Sequence, residues 1–262
     1  MVTVRPVNGL FQHYFDTMIP KIIHYCWFGR GEMPQTALDC IDSWHKYMPN
    51  WEYKLWNEDN FDVNSQQYTR EAYGTKKFAF VSDYVRLKAL RDFGGLYLDV
   101  DFLVRKPFDD LMNEKAFAGI EGSKRNPVMM GVIASEPNGE WVKEQLTLYD
   151  GLHFIKEDGS PDMTPNTSRV LESMVRNGFI ADGKEKYYKD LHIFPTDYFC
   201  PRQTTGEYLL TESTYCESVG ISSWAPAGKS WKSLIRRIVG PRNMTRLIKL
   251  KRRYERIYYY WR

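Results

Sequence analysis

Residues 80–107, FVSDYVRLKALRDFGGLYLDVDFLVRKP, restrict the possible fold more than any other stretch of this chain. The run reads as a helix, a pair of glycines, and a strand that ends in two aspartates one residue apart. Gly94 and Gly95 suit a left-handed helix end, where a Cβ atom is unfavourable. A strand is expected over 96–104, with Leu96 and Leu98 on one face and Tyr97, Asp99 and Asp101 on the other. Residues two apart on a strand point the same way, so the two carboxylates are expected side by side. The motif is thus expected at the exit of a buried strand, where open α/β sheets bind ligands, and elements along the chain alternate as an α/β architecture demands.

Asp99-Val100-Asp101 is the only Asp-x-Asp in the sequence. Taken alone the pattern is weak, because most such pairs are solvated turn residues. Its place at a strand exit is what gives it meaning. Two carboxylates there can hold one hard cation while leaving coordination positions for phosphate oxygens. On the preceding helix Asp83 and Arg86 are three residues apart and share a face. The bland explanation for that pair is an intrahelical ion pair in solvent.

The string SDYVRLKALRDFGGLYLDVD resembles the sugar-binding and DXD region of the OCH1-like glycosyltransferases, also known as the DXD-type sugar-transferase or capsular polysaccharide synthesis family. Upstream, IPKIIHYCWFG at 19–29 is similar to that family's opening strand. The similarity is strong over residues 19–120 and continues faintly to 224. The resemblance implies a glycosyltransferase A-type, Rossmann-like α/β domain over 1–228, followed by a basic helical tail over 229–262. It implies a metal-dependent hexosyltransferase that retains anomeric configuration. The donor would be a nucleotide sugar, with a UDP-sugar expected, and the acceptor a glycan or lipid-linked oligosaccharide in surface or capsular polysaccharide synthesis.

By the same resemblance, Asp83 would accept hydrogen bonds from the sugar and Arg86 would donate to sugar or phosphate. Asp99 would contact the ribose and, through water, the metal, while Asp101 would ligate Mn²⁺ or Mg²⁺ directly. Tyr97 would line the donor pocket, and Trp27, Phe28 and Gly29 would sit beside base and ribose. The family's closing segment reads like I-H-H-W-x-x-S-W, whereas this chain has GISSWAPAGKSW at 220–231. Ser222 and Ser223 stand in place of histidines as weaker oxygen ligands, and Trp224 would cover the diphosphate. His24 lies inside the opening strand and reads as a core histidine rather than a base.

The four cysteines, Cys26, Cys40, Cys200 and Cys216, have no zinc or thioredoxin spacing. No leader-like or membrane-length apolar run is evident, so a reducing cytosol is the expected setting. The net charge of +3 conceals an asymmetry: twelve Lys or Arg and one Glu fall at 229–262, a net +11, against −8 before it. Trp231, Leu234, Ile235, Ile238 and Val239 follow helical spacing among those cations, the pattern of an interfacial helix on anionic lipid. Peripheral attachment at the inner face of the cell membrane is therefore the favoured reading. Simple packing of the tail against the acidic body stays open, and nucleic-acid binding is the least favoured. Two other classes compete for the body, a nucleotidyltransferase and a non-catalytic sugar- or lipid-binding relic. The former needs a richer phosphate loop than WFGRGEMP offers.

Overall fold

The structure is a computed structural model, described over residues 19–121, 127–201 and 210–220. The basic tail, with Ser222, Ser223 and Trp224, lies outside the described residues.

The chain opens with β1 (Ile22–Cys26), α1 (Gln35–Tyr47) and β2 (Glu52–Trp56). Next come α2 (Gln67–Gly74), α3 (Phe78–Phe93) and the short central strand β3 (Gly95–Leu98). β4 (Phe102–Val104), β5 (Ala116–Ile120) and β6 (Val128–Ser135) lead into α4 (Glu140–Leu146) and α5 (Asn166–Arg176). β7 (Lys186–Tyr188), β8 (Leu191–Phe194), α6 (Thr196–Phe199) and β9 (Cys216–Ser218) complete the described chain.

Seven strands form one sheet in the order β2-β1-β3-β6-β5-β8-β7. The pairs β1–β2, β1–β3 and β5–β8 are parallel, and the remaining three are antiparallel. All four residues of β3 are buried, as a strand covered on both faces requires. Tyr97 belongs to the core on the α3 side, whereas Leu96 and Leu98 belong to the opposite core with Trp44 and Phe108. The alternation expected for this strand is thus observed. α3 buries residues around most of its circumference, including Phe80, Val81, Val85, Leu87 and Leu90, because it is wedged between the sheet and neighbouring helices.

Between α3 and β3 the glycines take the positive φ that the sequence suggested, +64° at Gly94 and +109° at Gly95. Gly94 has ψ −169°, however, which lies outside the left-handed helical region and in territory open essentially to glycine alone. A Cβ on Gly95 would sit 2.6 Å from the Ile22 carbonyl oxygen, so the helix can feed a strand this close to β1 only without a side chain.

One expectation fails. The strand does not run from Leu96 to Val104. It stops at Leu98, turns over Val100 and Asp101, and resumes as β4 in a separate two-stranded sheet with β9. Aspartates favour turns because their short side chains tolerate and bond turn backbones, and here two of them break an otherwise strand-like run.

Candidate active site

The turn that replaces the expected strand presents both carboxylates. Asp99 N–H donates to the Gly131 carbonyl at 2.8 Å, and Phe102 N–H closes the turn on the Asp99 carbonyl at 3.1 Å. Asp99 and Asp101 therefore both lie in a tight reversal at the exit of β3 instead of on one continuous strand. Asp101 is tied to β9: Ser218 Oγ donates to its Oδ2 at 3.1 Å, and Val219 N–H donates to its carbonyl at 2.8 Å. Ser218 was not legible as a site residue, because nothing local links it to a turn 117 residues earlier.

Behind Asp99 lies a buried polar relay. The Tyr97 hydroxyl donates to Asp99 Oδ1 at 2.7 Å, and Arg86 Nη2 lies 3.4 Å from the same oxygen. Nη2 also meets Asp83 Oδ1 at 3.0 Å, so one guanidinium bridges the helical aspartate and the turn aspartate. Its Nη1 donates to the Met130 carbonyl at 2.6 Å and its Nε to the Ser82 carbonyl at 3.2 Å. Arg86 is 6% exposed and sits over the Tyr97 ring, 4.7 Å from its centroid. The solvated ion pair that the spacing of Asp83 and Arg86 also allowed is not what forms.

Burial sets the electrostatics. It raises the Asp83 carboxyl to about 6, helped by the negative Asp99 and opposed by Arg86. Burial alone would lower the Arg86 pKa, but Asp99, Tyr97 and Asp83 outweigh it and raise it, so the guanidinium stays charged. Tyr97, 1% exposed, is pushed well up by burial and remains a phenol able to donate.

The opening strand contributes to the same edge. β1 and β3 are parallel with His24 beside Tyr97, so the segment after Cys26 emerges level with the aspartate turn. Trp27 is partly exposed, and its Nε1–H donates to the Gly31 carbonyl at 2.6 Å. Gly29 N–H donates to Glu58 Oε1 at 2.6 Å; its φ is +97°, and a Cβ would fall 2.3 Å from the Phe78 ring. Phe28 turns the other way and packs edge-on against Phe61 in the core. Burial would raise Glu58, yet hydrogen bonds from Gly29 N–H and the Tyr73 hydroxyl bring it below the ordinary carboxylate range.

His24 is the core residue its position suggested. It is 0% exposed; Nε2–H donates to the Gly94 carbonyl at 2.8 Å and Nδ1 accepts from Trp56 Nε1 at 3.1 Å. Burial drops its pKa to about 4, with Lys54 adding to the effect. Cys26, also buried, is pushed up to about 12 by burial.

Among the described residues no three His, Cys, Asp or Glu side chains converge as a metal cage. Two carboxylates with a serine hydroxyl beside one of them form an all-oxygen donor set, which fits a hard divalent cation whose remaining positions fall to phosphate and water.

Residues 34–118 match the family described as "Glycosyltransferase sugar-binding region containing DXD motif". That segment of the chain is similar to the family's sugar-binding region and contains the aspartate turn. The chain's architecture is α/β, as expected, with one mixed seven-stranded sheet. An uncharacterized glycosyltransferase of Acanthamoeba polyphaga mimivirus is 25% identical over 224 residues, 80% of this chain and 85% of that protein. Glucan organizing enzyme 1 of Cryptococcus neoformans is 36% identical over 83 residues, 29% of this chain and 23% of the relative's length. Inositol phosphoceramide mannosyltransferase 3 of Schizosaccharomyces pombe is 27% identical over 154 residues, covering 50% of this chain and 42% of that one. A solved glycosyltransferase involved in glycosylation of the PBCV-1 major capsid aligns over 78% of this chain and 95% of its own, with TM-score 0.46 and 13% identity. No helix among the described residues is long and apolar enough to cross a membrane.

Proposed function

We propose that this chain transfers a glycosyl group from a nucleotide-diphosphate sugar to a hydroxyl of a glycan or lipid-linked oligosaccharide. The observation that carries this is the turn at 99–101: two carboxylates at the exit of a central strand, backed by a buried arginine and a tyrosine that fix one of them. Asp101, steadied by Ser218, would hold Mn²⁺ or Mg²⁺. Asp99 would face the ribose and a metal-bound water. The bound cation would supply charge neutralisation for the departing diphosphate. Asp83 would accept from the sugar's hydroxyls, and Trp27 and Gly29 would border base and ribose. Phe28 and Tyr97 would act from behind, as support. Arg86 spends its N–H groups inside the protein, so its charge would act on the pocket through Asp83 and Asp99.

UDP-sugars are the expected donors, and the mannosyltransferase name of a relative makes GDP-mannose a necessary member of any panel. Transfer with retention is part of the proposal, as is surface-polysaccharide synthesis at a membrane reached through the basic tail. Release of UDP or GDP from a panel of nucleotide sugars, with Mn²⁺, Mg²⁺ or chelator, tests the core claim. Asp101→Asn and Asp99→Asn should each lose at least about 10²-fold in metal-dependent turnover, the scale of removing a preorganised charge partner. Circular dichroism should stay unchanged. Full turnover in either variant, or in chelator, removes the metal-site assignment.

A further inference from the structure

Past Leu98 the chain leaves the main sheet, and Asp101 leans on the β4–β9 ribbon, which has three residues a side. Backbone pairing alone leaves so short a two-stranded ribbon marginal in water. β4 is fastened to α1: Trp44 Nε1–H donates to the Phe102 carbonyl at 2.7 Å, and Val104 N–H donates to Ser43 Oγ at 2.9 Å. β9 enters the ribbon equally secured. The Tyr215 hydroxyl donates to Asp110 Oδ2 at 2.6 Å, its N–H donates to the Tyr198 carbonyl at 2.8 Å, and Cys216 is fully buried. After Cys216 the strand emerges from the core, and Val219 is 38% exposed. The end that meets Asp101 is therefore the less buried end.

Two side-chain contacts grip that end from opposite faces. Side chains alternate along a strand, so Glu217 points away from the face that carries Cys216 and Ser218. On the Ser218 face the hydroxyl holds Asp101. On the other, Arg105 Nε donates to Glu217 Oε1 at 2.8 Å, and Nη2 joins it on the same oxygen. Leu103 lies opposite Glu217 in the register, which makes Arg105 the diagonal neighbour on that face. The Arg105 side chain is 41% exposed but that of Glu217 only 12%, so water screens this pair less than an open surface pair.

We propose that Arg105 and Glu217 are positioning residues for the cation site. Their ion pair holds the outer end of β9 against β4, and through Ser218 and Val219 it sets where the Asp101 carboxylate points. This rests on the reading of Asp101 as a cation ligand. A support of this kind governs how tightly the cation is held and leaves the chemistry alone once the site is filled.

The test measures Mn²⁺ binding by the paramagnetic resonance signal of free Mn²⁺, with UDP and separately with GDP, beside the Mn²⁺ dependence of nucleotide release. Glu217→Gln and Arg105→Gln should each raise the Mn²⁺ dissociation constant and the half-saturating concentration by about 10-fold. Turnover at saturating Mn²⁺ should stay near that of wild type. The reversed pair, Arg105→Glu with Glu217→Arg in one chain, should recover most of the affinity. Glu217→Gln is nearly isosteric and keeps the test valid where the reversed pair folds poorly. Unchanged Mn²⁺ affinity in both single variants overturns the proposal, even where urea unfolding shows a loss of stability. A folded reversed pair that binds no better than the single variants overturns it as well. Wild type that binds no Mn²⁺ with either nucleotide removes the cation reading of Asp101, and this proposal falls with it.

Discussion

At Asp99 the two carboxylate oxygens face different surroundings. Oδ1 takes the Tyr97 hydroxyl and lies near Arg86, whereas Oδ2 lies where a Cβ on Gly131 would come within 2.8 Å. One oxygen is anchored by the Tyr97 hydroxyl and the other lies against β6 at Gly131. Tyr97→Phe removes the anchor without changing the core's volume. It should cost about 10–100-fold in turnover and raise the metal concentration needed, as loss of a partner behind a ligand does. A metal titration of nucleotide release checks this, and an unaltered curve would show that Asp99 needs no such support. Gly131→Ala makes the complementary change, because its methyl would also press on the Phe102 ring at 2.7 Å. Overpacking of this kind costs about 1–3 kcal/mol, and here it also displaces Asp99. Urea denaturation should show the loss of stability and turnover assays the loss of rate; loss of only one separates packing from chemistry. The aspartate pair was readable in the sequence as a motif, but Gly131 and Ser218 were not. Their roles depend on which strand passes the turn, and no neighbour in sequence carries that information.

At the scale of elements, β1, β2 and the α3–β3 corner are stitched together by one imidazole. His24 links the Gly94 carbonyl to the Trp56 indole, so it holds a helix end and an edge strand to the strand between them. Its folded pKa of about 4 lies below the 6.5 of the unfolded chain. The unfolded state therefore takes up a proton between those values that the native state refuses, and stability falls as pH drops through that window. The shift corresponds to roughly 3 kcal/mol, fully present above pH 6.5 and lost by about pH 4. His24→Gln can keep both hydrogen bonds but cannot titrate. The difference in unfolding free energy between wild type and this variant should shrink from pH 7 to 4.5, and a difference independent of pH would refute the linkage. Elements with strong periodic or apolar patterns were legible. β2, EYKLW, and β5, AFAGI, are short runs whose aromatic and aliphatic residues read as strands. α2 is hard to read because its polar sequence QYTREAYG offers little apolar period, and its fold is secured by distant contacts. Glu71 on that helix accepts from the backbone N–H groups of Phe154 and Ile155, which pins the loop leading toward α5. The break of β3 at Leu98 was invisible to alternation, which continues in sequence through a turn that interrupts it in space.

For the whole molecule, charge separates along the chain: a net −8 before Lys229 and +11 from there to the end. Composition constrains partners here without constraining the fold. A tail of that sign with interleaved Trp, Tyr and aliphatic residues is drawn to an anionic surface, at about 1 kcal/mol per Lys or Arg near the lipid, within a screening length of about 8 Å at physiological salt. Twelve cations, even partly engaged, would outweigh repulsion of the acidic body, provided the body faces away from the membrane. Such attachment would bring the aspartate turn near lipid-linked acceptors and leave nucleotide-sugar chemistry independent of it. Vesicles of phosphatidylglycerol mixed with phosphatidylcholine should sediment the full chain, vesicles of phosphatidylcholine alone should not, and about 0.5 M salt should release it. Removing residues 229–262 should abolish sedimentation while preserving metal-dependent hydrolysis of the donor. Binding that survives the truncation, or hydrolysis that disappears with it, would assign the tail to the catalytic body instead of the membrane.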